Sequence, residues 1–137
     1  MEPGTYTILL ELETNTAVAF GAAGSRALEV GFYAYTGSAF GHGGLTRVDR
    51  HERVCRGMND SRHWHVDSLL GDPHVSWVGA WASPNRRAEC EIAASVPGRR
   101  VSGIGATDCS CNSHLTFHPG RGELITAIDA IHEERYS

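Results

Sequence analysis

Lysine is absent from this chain: all 12 of its basic residues are arginine. Guanidinium is the better bidentate ligand for phosphate, although a GC-rich genome or a salt-rich cytoplasm is the commoner reason for lysine to be missing. An excess of positive charge is absent too. Against 16 acidic residues the formal net charge is -4, which excludes a generally basic coat for nucleic acid and confines any grip on phosphate to a local patch. Long apolar runs are lacking. Ile8-Leu9-Leu10 is too short for a signal-peptide core or a membrane span, and Met1-Glu2-Pro3-Gly4 carries no basic n-region. The expectation is a cytoplasmic protein with no membrane partner. Cysteine is sparse, at four (Cys55, Cys90, Cys109 and Cys111), and in the cytosol such a set is reduced or metal-bound rather than disulfide-bonded. Internal repeats, low-complexity tracts and linkers are also missing, so the 137 residues, 41% hydrophobic and 20% charged, read as one domain able to bury its own core.

What is present is a run of strands followed by helices. Thr5 to Leu12 alternates and is rich in β-formers. Thr16 to Phe20 and Ala27 to Val30 bracket a turn-rich Gly21 to Ser25, which predicts a hairpin. Phe32 to Thr36 reads as a further strand, and the glycines at 41, 43 and 44 lead into a helix beginning near Leu45 with Val48 and Cys55 on its apolar stripe. A short helix over His63 to Leu70, a strand over His74 to Trp81, a helix over Arg87 to Val96 stopped by Pro97-Gly98, an edge strand over His114 to Phe117 and a closing amphipathic helix over Glu123 to Glu134 complete the reading. The fold class is α+β, with a small central antiparallel sheet flanked by helices.

Arg47 and His51 stand four residues apart on the predicted helix and so project from one face, with Val48 and Cys55 pointing elsewhere. That pair suits a phosphate: arginine holds two non-bridging oxygens, and histidine donates to a third or shuttles a proton near neutral pH. Arg50, Arg53 and Arg56 continue round the helix and fit a phosphate-facing ridge or an ordinary charged surface equally well.

These residues sit inside a larger pattern. Gly4-Thr5-Tyr6 resembles the first half of the GIY-YIG nuclease signature, and Tyr35-Thr36-Gly37 resembles the second, followed by Ser38-Ala39, a glycine-containing loop, Arg47 and His51. Glu89-Cys90-Glu91-Ile92 is similar to the helix carrying that superfamily's single metal-binding glutamate, with Glu89 at the matching position. Within the superfamily the chain is most similar to a group of small, mostly archaeal GIY-YIG-like proteins. It shares with them the Gly-Ser-Ala turn, the Arg-Val-x-Arg-His helix start, His63-Trp64-His65-Val66-Asp67 and Asp108-Cys109-x-Cys111-x-Ser113-His114-Leu115. The resemblance covers roughly residues 4 to 117. Two departures stand out: the middle residue of each triplet is Thr rather than Ile, and Tyr6 and Tyr35 are 29 positions apart, a longer spacer that an extra hairpin would absorb.

The resemblance implies a metal-dependent endonuclease acting on DNA or a structured nucleic acid, DNA more than RNA. Glu89 would hold one Mg²⁺ or Mn²⁺, Tyr6 or Tyr35 would position or deprotonate the attacking water, Arg47 would neutralise charge on the phosphate, and His51 would assist proton transfer. A phenol in that role needs a lowered pKa. Ser38, Arg50 and Arg53 would contact nucleic acid. Separately, Cys109, Cys111 and His114 have short ligand-like spacing, and Cys90 would complete a tetrahedral Zn²⁺ site if its helix abuts that loop; packed free thiols are the plainer reading. His63, His65 and Asp67 mimic a metal set less well, because only His63 and Asp67 share a helical face. Two other functions stay open: a catalytically silent module that binds nucleic acid or docks a partner, and a protein-interaction domain. The closing helix packs within the chain or builds a homodimer.

Overall fold

The computed structural model describes residues 2–60, 65–104, 113–132 and 134–136. In chain order its elements are β1 (Gly4–Leu12), β2 (Thr16–Ala19), β3 (Ser25–Leu28), β4 (Gly31–Ala39), α1 (Thr46–Cys55), α2 (His65–Leu70), β5 (Val75–Pro84), α3 (Glu89–Ser95), β6 (Arg99–Arg100), β7 (Leu115–His118), α4 (Arg121–Ile131) and β8 (Glu134–Arg135). The larger sheet runs β6-β7-β4-β1-β5-β8, antiparallel at every pairing, and β2 with β3 forms a separate hairpin. This is the α+β class with a central antiparallel sheet and flanking helices that the sequence predicts. Among the described residues no helix is long and apolar enough to cross a membrane.

β1 and β4 are neighbours in unbroken register, from Gly4 opposite Ala39 to Leu12 opposite Gly31. The segment between them leaves the sheet as the predicted hairpin, whose Val18, Phe20 and Leu28 pack into the main core, and then returns. The long spacer between the two triplets therefore does not separate the strands that carry them. Alternation along β1 sends Tyr6, Ile8, Leu10 and Leu12 to one face, where they meet Val48 and Val54 of α1 and Val66, Leu69 and Leu70 of α2. Leu9 goes to the other face and packs with Trp81, Val96 and the Leu124 and Ile128 of α4. Those two α4 side chains are fully buried, and each contributes about 1.5–3 kcal/mol by leaving water. The apolar stripe of the closing helix is thus covered by its own chain.

Several predicted boundaries shift, each for a local reason. The helix expected from Arg87 starts at Glu89, because Ala88 is held in a non-helical conformation (φ -143°, ψ 37°) with its N–H donated to the Thr5 hydroxyl. The closing helix stops at Ile131 rather than Glu134. His132 turns extended and inserts its ring between Thr7 and Ser83, and Glu134 and Arg135 become a strand on β5. The strand ending in Phe117 is not an edge, since β6 pairs outside it. The helix expected from His63 is described from His65; His63 and Trp64 lie outside the described residues.

Candidate functional site

The site begins with register. Tyr6 lies opposite Gly37 and Tyr35 opposite Ile8, so the two phenols are diagonal neighbours on one face of the β1–β4 pair. Their ring centroids are 6.5 Å apart. Gly37 makes room for this, because a Cβ there would run into the Tyr6 ring.

α1 lies over the same face. Its start is tied down by the Leu45 N–H, which donates to the Glu2 carbonyl at 2.8 Å. Val48, His51 and Val54 face inward. Arg47 and His51 therefore do not share a solvated face set apart from Val48, as the spacing suggests. The imidazole points into the core beside Val48, and Arg47 stays at the rim. Apolar positions on both sides of residue 51 carry the ring inside, where its Nε2 is 2.8 Å from the Tyr6 hydroxyl. Its ring centroid is 5.5 Å from that of Tyr6 and 6.5 Å from that of Tyr35. Arg47 Nη1 donates to the Ser38 carbonyl at 2.5 Å, which fixes the guanidinium at the end of β4.

Glu89 arrives from the far side of β1. The Thr5 hydroxyl donates to the Arg86 carbonyl at 2.7 Å and accepts the Ala88 N–H at 3.2 Å, tying the loop that opens α3 to the first triplet. The threonine in place of isoleucine thus has a structural use. Thr36, at the same place in the second triplet, bonds the Thr7 hydroxyl at 2.9 Å. Glu89 lies within electrostatic reach of both Tyr6 and Tyr35. Its Oε2 is 3.4 Å from His114 Nδ1, and Cys90 Sγ is 3.7 Å from His114 Nε2. His114 itself is docked on β4, its carbonyl accepting the Thr36 N–H at 3.0 Å. Tyr6, Tyr35 and His51 are therefore neighbours in one cluster, Arg47 acts on Tyr6 by charge and a hydrogen bond, and Glu89 acts on the two phenols through its charge.

Protonation follows from burial. The Tyr6 hydroxyl is pushed well above the ordinary phenol value, first by desolvation and then by Tyr35, while Arg47 pulls it down by charge and by a side-chain hydrogen bond. Tyr35 is raised by desolvation and by Glu89, with Arg47 opposing. The lowered phenol pKa that a base role requires is thus not built into the protein alone; both phenols stay protonated. His51 is lowered to about 4 by desolvation, against the pull of Asp67, so its ring is neutral near pH 7.

The arginines divide. Arg50 is engaged by the buried Asp67 through two bonds of 3.0 and 3.1 Å, so its guanidinium is not simply a phosphate ligand as its place on the helix suggests. Arg56 pairs with Glu52 at 2.7 Å. Arg53 is exposed, and with His42, Thr46, Arg47, Asp49 and Arg50 it lines an open groove of about 410 Å³ along α1. Ser38 contributes its backbone carbonyl to holding Arg47. Sequence reasoning missed Thr5, whose value depends on a loop 81 residues away, and it weighed Asp67 only as a weak member of a metal set, without its buried place beside α1.

Within this set Glu89 supplies the carboxylate. Glu89 offers a single carboxylate with its side chain 29% exposed, and Mg²⁺ or Mn²⁺ held by one carboxylate keeps waters and substrate oxygens as its other ligands. Among the described residues no three His, Cys, Asp or Glu side chains form a metal-holding group. Of the zinc candidates, Cys90 and His114 do meet, while Cys109 and Cys111 lie outside the described residues.

No curated protein and no solved structure matches the chain. One family model does, described as a domain of unknown function, DUF123, over residues 5–137. With nearly its whole length matched, the chain belongs to the DUF123 family.

Proposed function

We propose that this protein is a cytoplasmic, GIY-YIG-type, divalent-metal-dependent endonuclease that hydrolyses phosphodiester bonds in DNA or structured nucleic acid. The observation that carries the reading is the convergence of two phenols, a guanidinium, an imidazole and one carboxylate at the end of the β1–β4 pair, next to a groove lined by arginine. Arg47, at the rim, holds non-bridging oxygens and relieves charge as the phosphorus becomes five-coordinate. Tyr6 meets the attacking water. The water gives its proton to the Tyr6 oxygen as Tyr6 gives its own to the neutral His51 Nε2, 2.8 Å away. The new P–O bond forms to the water oxygen, the opposite P–O bond breaks, and the departing oxygen takes a proton from solvent. Tyr35 packs beside Tyr6 and holds it. A divalent ion on Glu89, when bound, supplies further charge relief and favours ionisation of water. Arg53 tracks the backbone of the strand along the groove.

A second reading, a nucleic-acid-binding module without cleavage, draws on the depth of the phenols, which are 2% and 6% exposed. Nicking of supercoiled plasmid or branched DNA in Mg²⁺ or Mn²⁺ separates the two. Loss of nicking in Glu89→Ala and Arg47→Ala, with thermal melts unchanged, supports the enzyme. Binding that persists in both variants, with no cleavage in any metal, supports the module. Mobility shifts absent even at low salt favour a protein-interaction domain, because phosphate-driven binding strengthens there.

A further inference from the structure

The carboxylate of Asp67 stands behind His51. Its residue is fully buried on α2, and its two oxygens accept Arg50 Nη1 and Nη2 at 3.0 and 3.1 Å. Oδ1 also lies 3.9 Å from His51 Nδ1, while on the opposite edge of the same ring Nε2 is 2.8 Å from the Tyr6 hydroxyl. Carboxylate, imidazole and phenol therefore form a line running from α2 through α1 to β1. At 3.9 Å the carboxylate is beyond hydrogen-bond distance and acts on the ring through its charge, little screened because both residues are buried. Among the described residues, Arg50 and Arg47 of its own helix also act on the ring and oppose a positive imidazole, and the phenols of Tyr6 and Tyr35 pack against it.

A negative charge on one edge of a neutral imidazole favours the ring proton on that edge, and leaves a lone pair on the other. We propose that Asp67 is a positioning residue that fixes His51 as the Nδ1–H tautomer, so that Nε2 accepts the Tyr6 proton. The inference rests on the reading of Tyr6 as the group that meets the attacking water. When the phenol proton arrives at Nε2 the ring carries both protons, and the Asp67 charge stabilises that cation until the proton returns to solvent. Arg50 orients the carboxylate and so serves the chemistry from behind rather than by gripping substrate.

A helix-to-helix tie between α1 and α2 is the alternative role for Asp67, and the tautomer distinguishes them. Two-bond ¹H–¹⁵N correlation spectra of the full chain, with His51 assigned through His51→Gln, read the protonated nitrogen directly. The expected result is Nδ1–H in the wild type and a shift toward Nε2–H in Asp67→Asn. In that variant the nicking kcat is expected to fall on the order of a hundredfold with KM unchanged. Nε2–H in the wild type, or the same tautomer in both proteins, overturns the proposal. If Asp67→Asn does not fold, the wild-type tautomer alone decides. If the tautomer is as expected but Tyr6→Phe nicks as well as wild type, the role given to Tyr6 fails while the pairing of Asp67 with His51 stands.

Discussion

Tyr6 lies across Gly37: a methyl group at residue 37 would occupy the space of the phenol ring. The glycine of the second triplet is therefore the seat of the tyrosine of the first. Gly37→Ala is expected to destabilise the protein by about 1–3 kcal/mol, as overpacking of a filled core does, and to move Tyr6 off His51. Gly122→Ala is the contrast, since nothing lies within 4 Å of a Cβ there and the residue is in α4; it is expected to stabilise by about 0.5–1 kcal/mol. Urea midpoints of the two variants check both.

Tyr6→Phe removes the hydroxyl partner of His51 Nε2 inside the core. The expected stability loss is about 1–2 kcal/mol, with nicking abolished. Tyr35→Phe, acting beside Tyr6 rather than on the transferred proton, is expected to retain part of the activity. Single-turnover rates measured beside thermal melts distinguish the two.

Acid should unfold this protein through its histidines. His51 and His132 are both lowered from 6.5 to about 4 in the folded state, chiefly by burial. Between those values the unfolded chain binds protons that the folded chain refuses. Their contribution is therefore complete above about pH 6.5, declines as pH falls toward 4 and levels off below. The expected loss is up to about 3 kcal/mol per histidine. Denaturant titrations between pH 7 and pH 4 measure it, and His132→Gln should flatten the slope.

The arginines of α1 should behave differently from one another. Arg53→Ala is expected to weaken nucleic-acid binding without loss of stability, lowering the magnitude of the log-affinity against log-salt slope by about 0.9. Arg50→Ala leaves the buried Asp67 carboxylate without its guanidinium and is expected to destabilise by about 3–5 kcal/mol. Binding isotherms at several salt concentrations, set beside melts, check the division.

The sequence made the architecture legible where periodicity and turn chemistry are local. Alternation in β1, the glycine-rich turn of the hairpin and the Leu124, Ile128 spacing of α4 all appear where they were expected. The candidate site was legible through its short motifs, because strand register alone brings Tyr6 and Tyr35 together. Hidden from sequence were features set by contacts between distant segments. Thr5 holding the start of α3, His132 entering between Thr7 and Ser83, and Asp67 buried behind His51 all depend on partners at least 16 positions away. Helical spacing also misplaced His51, because an i, i+4 pair shares a side of the helix without sharing a depth, and here one member is at the rim and the other in the core.

The central claim is that Glu89 and the arginine rim serve one cation and one phosphodiester together. Electron paramagnetic resonance titration of Mn²⁺, with and without a short DNA oligonucleotide, measures this in the wild type and in Glu89→Gln. The account predicts Mn²⁺ binding that tightens when the oligonucleotide is present and is lost in Glu89→Gln while the fold is retained. Equal Mn²⁺ binding by the two proteins, or binding that the oligonucleotide leaves unchanged, would contradict it.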